Sequence, residues 1–352
     1  MTPPVVLPGS SINKRADELG PADPSMQYMA ARLVNFGGGG APPGRLALSM
    51  KAYSTPIYQY ETRSQSSYFF PMAFSQNAGS AGTLKPGTLV PDNPSRWIPG
   101  TGNDNIFLVE RRSTGEVWDF WMARQPGYNA ITLTNLLAGL AWKTPQHICA
   151  SASYSNTIFK TAQTHVRRGM GINKRALITT GEEVQAAIEE NYPISHAMEI
   201  TIANTWYTNL KTAVQGVDYL PPATRCEWDE QAAKNRPGYD PDKTHLSLSG
   251  LRVALRLTAA ERSAWLDLRV GQSGLFREFC RVVLDAICDY GLVVGETGGF
   301  GMRSEFDGVL GPARPIYKKY GWDVDKPEAQ EYCFEKLLVD HADRVYVVRP
   351  SF

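Results

Sequence analysis

The chain has 352 residues, 43% of them hydrophobic and 20% charged, with a formal net charge of +1. That is enough for a sizeable core in one large domain or two smaller ones. Near-neutrality excludes long-range attraction to nucleic acid or to an anionic membrane surface, and no window reaches the ~18 apolar residues of a membrane span.

Residues 1 to about 45 differ in kind from the rest. They are rich in Pro, Gly and Ser and end in Gly37-Gly38-Gly39-Gly40-Ala41-Pro42-Pro43-Gly44. Such a segment is expected as an extended arm, reaching a neighbouring subunit or trailing as a tail. Met1 to Ser10 lack the charged and apolar regions of a secretory signal, so synthesis in a cytoplasm is expected. Residues 46–352 then form a single domain. Tyr68 to Phe74 predicts a strand interrupted by Pro71, and the Pro- and Gly-dense stretch 84–102 around Trp97 predicts an irregular crossover. Ile106–Glu110 and Glu116–Trp121 flank a short polar segment, the pattern of a β-hairpin. Ile131–Trp142 fits either a strand or a short buried helix.

Four helices are signalled. Thr180-Gly181-Glu182-Glu183 and Thr258-Ala259-Ala260-Glu261 are capping boxes. A helix over 274–290, capped by Ser273, carries Phe276, Phe279, Val283, Ile287 and Tyr290 at steps of three and four, with Gly291 in the C′ position. A fourth runs from about Pro327 to Asp340. His196–Ile202 and Leu251–Leu257 alternate as strands with one buried and one solvated face, as in antiparallel sheets, and shorter strands follow at 292–294 and 345–348. The sum is a mainly β fold: an antiparallel β-sandwich or jelly roll with three or four short helices and an extended N-terminal arm.

Cys149, Cys226, Cys280, Cys288 and Cys333 are odd in number and contain no CxxC pair, so neither zinc nor a disulfide framework is indicated and no cofactor is expected. His196 with Glu199 and Glu183 is a candidate acid–base group, against a hydrogen-bonded core histidine. Asp104, Glu110, Glu116 and Asp119 are candidate carboxylates for glycosidic hydrolysis, although Glu116 and Asp119 fall on opposite faces of their strand. Asp104 and Asn105 are candidate metal ligands, against an Asx turn, and Asp240 and Asp242 share that ambiguity. Trp118 and Trp121, with Asp119, are candidates for sugar stacking, alongside Tyr68, Trp97 and Trp228, against core packing. The clusters at 164–169 and Lys318-Lys319 are too short for a nucleic-acid site. No GxSxG elbow, P-loop or HExxH occurs.

One order of motifs runs through residues 50 to 300: Gly102-Asn103-Asp104-Asn105, Trp118-Asp119-Phe120-Trp121, Gly181-Glu182-Glu183-Val184, Ile194 to Ile200, Gly250 to Leu255 and Asp289 to Val294. It resembles an uncharacterised β-sandwich domain of secreted bacterial proteins, often found beside carbohydrate-active modules. In that domain the loop before the first hairpin strand tends to carry a histidine. Here Ile106 stands in that place while His196 is kept, so the resemblance implies a broken histidine pair and lowers the expectation of an enzyme. The Pro/Gly-rich arm and the isolated domain also resemble a bacteriophage minor tail or tail-tip protein. That resemblance implies a structural virion component located in the tail, with other tail proteins and copies of itself as partners and host envelope glycan as a contact. A glycoside hydrolase or lyase acting on cell-wall polysaccharide, or a carbohydrate-binding module, is the alternative.

Overall fold

The computed structural model describes residues 11–35, 46–49, 54–59, 68–71, 89–92, 106–111, 116–121, 151–155, 170–172, 174–202, 219–223, 249–297, 301–303, 305, 313–323 and 330–350. Three sheets are present among them. A six-stranded sheet has the order β1 (Ala47–Ser49), β11 (Gly301–Arg303), β8 (Met198–Ile202), β10 (Leu292–Thr297), β9 (Arg252–Leu255), β12 (Val345–Val347). A four-stranded sheet runs β2 (Ile57–Gln59), β5 (Phe107–Arg111), β6 (Glu116–Trp121), β7 (Ser151–Ser155), and β3 (Tyr68–Pro71) pairs with β4 (Leu89–Asp92). The described helices are α1 (Ala16–Leu19), α2 (Tyr28–Asn35), α3 (Gly181–Glu189), α4 (Ala259–Arg269), α5 (Leu275–Asp289), α6 (Arg314–Lys319) and α7 (Leu337–Asp340).

This is a mixed α/β fold, which corrects the expected antiparallel sandwich. β8 pairs in parallel with β10, β1 with β11, and β2 with β5. β8 and β9 are buried on both faces. The alternation that suggested a solvated face is real in the sequence, and Arg256 of the expected strand 251–257 does stay exposed, but the other polar positions are covered. Glu199 and Thr201 in β8 lie inside the molecule, as does Arg252 in β9. A polar residue in a strand signals water only if no other element supplies its partners.

The arm is corrected in the same way. Residues 11–35 are largely helical and pack onto the end of the six-stranded sheet. Ala22 N–H donates to the Val347 carbonyl at 2.8 Å and Ala197 N–H to the Ile12 carbonyl at 2.9 Å. Arg252 donates to the backbone carbonyls of Ser11, Lys14 and Tyr290 at 2.7, 2.6 and 2.6 Å. Ile12, Met26, Met29, Leu33 and Val34 join the main core. The Gly37–Gly44 run lies outside the described residues, as does 131–142.

Local signals predict local structure well. Both capping boxes form, with Thr180 and Thr258 each accepting from the N–H of the glutamate three residues on. α5 buries Phe279, Val283 and Ile287 on one face, together with Cys280 and Cys288. Its N-cap is Gly274 rather than Ser273, and Gly291 closes it at φ 83°. The fourth expected helix shrinks to α7, preceded by turns over 330–336. The hairpin β5–β6 forms with Phe107 opposite Phe120, their rings stacked at 4.5 Å. Leu108 and Val117 carry this hairpin into the core cluster that also holds Ile200, Val294 and Phe279, so the two larger sheets share one interior.

Candidate functional site

Charged side chains converge where that interior passes between β5, β8, β10, β11 and α3. Five carboxyls (Glu110, Glu183, Glu199, Glu296, Glu305) and the bases Lys174, Arg175, His196 and Arg303 are all buried. Ions at that depth need partners, because desolvation costs several kcal/mol per charge in order of magnitude. They find them in two groups.

The first group is built on a bulge. The register between β8 and β10 shifts between Val294 and Glu296, leaving Gly295 unopposed. Lys174, on the short helix Lys174–Ala176, donates to the Gly295 carbonyl at 2.9 Å and to Glu199 Oε1. Its Nζ also lies 3.4 Å from Glu296 Oε2, which pairs with Arg303 at 3.0 Å. A Cβ at Gly295 would come within 2.7 Å of the Glu199 side chain, so only glycine lets this carboxyl sit against the bulge.

The second group surrounds the start of α3. Arg175 donates to Glu110 on β5. Glu183 closes the Thr180 capping box with Oε2, and its Oε1 lies 3.3 Å from His196 Nε2. Burial alone would raise the Glu183 carboxyl, but His196, Arg175 and the Thr180 amide outweigh it and hold the group at about 2. His196 Nδ1 meets the Ala197 carbonyl at 2.8 Å. Glu305 accepts from Gly181 N–H at 2.9 Å, the first turn of α3. Burial pushes its carboxyl up to about 8, against the pull of the Gly181 amide and Arg175 and with Glu110 reinforcing the rise.

Of the expected acid–base trio, the structure therefore joins His196 to Glu183 and takes Glu199 away to Lys174. Glu110 is buried against Arg175, and Glu116 pairs with Arg111 at 3.3 Å near the surface. Asp119 is buried in β6 opposite Leu108 and Ser153. Trp118 is buried, which removes it as an exposed sugar platform. The side chains of Trp121 and Tyr68 lie outside the described residues, as do Asp104, Asn105, Trp97, Trp228, Asp240, Asp242, Cys149 and Cys226. Among the described residues no three His, Cys, Asp or Glu side chains are grouped as metal ligands. No described helix is long and apolar enough to cross a membrane.

Lys174, Arg175, Glu296, Arg303 and Glu305 were not singled out from the sequence. The available signal was Lys174-Arg175 set in Gly-Ile-Asn-Lys-Arg-Ala-Leu-Ile, two charges inside an apolar run. Such a run is a poor place for solvated charge, so it points to buried partners.

Two concavities reach the surface near these elements. One, about 20 Å³, leads to Glu305 between Gln59, Thr180, Glu182 and Ile316. It has room for about one water. The other is a groove of about 410 Å³ beside α5, lined by Asn191, Arg262, Arg281, Asp285, Asp289 and Tyr290. Arg262 bridges Asp285 and Asp289 at 3.0 and 2.7 Å, Arg281 pairs with Asp285 at 3.1 Å, and Arg15 reaches Asp289 at 3.0 Å. Comparison with protein-family models, curated proteins and solved structures gave no match.

Proposed function

We propose that the chain is a structural component of a phage tail tip, assembling with other tail subunits and contacting host envelope glycan without cleaving it. One observation carries the non-catalytic part of this reading. The enclosed carboxyls Glu110, Glu183, Glu199 and Glu296 are each set against a basic group, Glu305 is held by the Gly181 amide, and the opening to Glu305 has the volume of a single water rather than of a sugar ring. Glycoside hydrolysis needs two carboxyls flanking a bound sugar, roughly 5–10 Å apart in an open cleft. The groove beside α5 is within the size range of ligand sites. Its paired arginines and aspartates offer the planar hydrogen-bonding groups that sugar hydroxyls use, and Tyr290 adds an apolar wall.

The assembly part is tested by light scattering of the purified chain alone and mixed with the neighbouring tail subunits. A defined oligomer or mixed complex is expected, and a monomer under both conditions overturns it. The non-catalytic part is tested by incubation with purified cell-wall polysaccharide. Retention on the polysaccharide without new reducing ends is expected, whereas released reducing ends would favour the hydrolase.

A further inference from the structure

We infer that Lys174 and Glu199 are a self-modification site, condensing in the folded protein to an intramolecular amide that ties the 174–176 turn to β8. This rests on the first charge group alone and is independent of the proposed function.

Four observations converge on it. The amine and the carboxyl are 1% and 0% exposed, and Nζ donates directly to Glu199 Oε1, an oxygen of the carboxyl it would attack, away from bulk water. Enclosure at contact distance is what turns a slow bimolecular condensation into an effectively unimolecular one. The bulge at Gly295 fixes both reactants: its carbonyl orients Nζ at 2.9 Å, and its missing side chain leaves the space the Glu199 carboxyl fills. A second carboxyl, Glu296, stands 3.4 Å from the same Nζ, and Arg303 holds it from behind at 3.0 Å. That is the position of a general base that relays protons. Finally, Glu199 Oε2 is buried and has no hydrogen-bond donor among the described residues. A buried ion pair with an orphaned oxygen is a poor stabilising element. Condensation removes both charges and lets one carboxyl oxygen depart.

The step balances without a co-reactant. The ammonium passes one proton to Glu296, and the nitrogen lone pair forms a bond to Glu199 Cδ. The nitrogen gives up a second proton, and both protons leave with one carboxyl oxygen as water. One positive and one negative charge disappear together, the nitrogen keeps one hydrogen, and nothing is oxidised or reduced.

The test is the intact mass of the purified full chain, followed by tryptic mapping with fragmentation. The expected result is a mass one water below the sequence value. A branched peptide should join 169–175 to 176–211, with cleavage after Lys174 blocked. Lys174→Arg and Glu296→Gln, checked for folding by circular dichroism, should restore the sequence mass. The sequence mass in the native chain, with a free 169–174 peptide, overturns the proposal. That readout does not depend on whether either variant folds. Full joining in Glu296→Gln overturns the proton-relay role of Glu296.

Discussion

Glu305 is an acid whose fold favours its neutral form. Its carboxyl is raised from an ordinary value of 4.5 to about 8, mainly because burial strips its water. Below about 4.5 it is protonated whether the chain is folded or not, and contributes nothing to pH dependence. Between about 4.5 and 8 the unfolded chain has released the proton and the folded chain has kept it, so stability falls as pH rises through that window. Above 8 the penalty is constant, on the order of a few kcal/mol. Glu305→Gln keeps an oxygen for the Gly181 N–H and has no proton to lose. Its thermal midpoint should exceed the native one at pH 8, and the gap should close towards pH 5. A gap that does not change with pH would show that Glu305 does not hold its proton. Glu183 acts with the opposite sign, since its carboxyl is held at about 2. Its contribution is present above about 4.5 and is lost as pH falls towards 2. The sequence placed His196 and Glu183 among the same few candidates, and the structure brings them within 3.3 Å. It could not supply Lys174, Arg303 or Glu305, whose partners lie on other elements up to 124 residues away. Periodicity describes faces, and it carries no information about which distant charge meets a buried one.

At the scale of elements, what was legible is what closes within a few residues. The Thr258 capping box is exposed and local, and Thr258→Ala should cost about 1 kcal/mol in denaturant unfolding, with little change in slope. Gly291 ends α5 at φ 83°, and a Cβ there would approach the Val253 carbonyl to 2.4 Å. Gly291→Ala combines left-handed strain of roughly 1–2 kcal/mol with displacement of β9 from β10. It should therefore destabilise by clearly more than Thr258→Ala, and equal losses would show that the β9–β10 contact yields freely. The hairpin β5–β6 was legible for the same reason, since its register follows from a short connection. The parallel pairs were not. Among the described residues β9 and two helices separate β8 from β10 in sequence, and a strand buried on both faces through ion pairs looks like a half-solvated antiparallel strand when only its own residues are read.

At the scale of the whole molecule, the N-terminal segment decides what the protein can be. A Pro/Gly-rich beginning suggested an arm for neighbours, yet residues 11–35 serve this chain's own sheet. Ile12, Ala16, Ala22, Met26, Met29, Ala30, Leu33 and Val34 are buried there, and Arg252 and Gln27 cross-tie the segment to β9 and β12. Composition hid this because the apolar residues are sparse and spread over several short helices rather than one long stripe. Deleting residues 1–45 therefore removes a wall of the core and leaves the buried Arg252 guanidinium without two of its carbonyl partners. The truncated chain should lose cooperative unfolding and aggregate, whatever the assembly state of the native protein. Leu33→Ala separates the two roles. It should lower stability by about 2–5 kcal/mol, as for other buried leucines, while a native oligomer seen by light scattering keeps its mass. If Leu33→Ala were instead neutral for stability and dissociated the oligomer, the segment would belong to an interface between subunits after all.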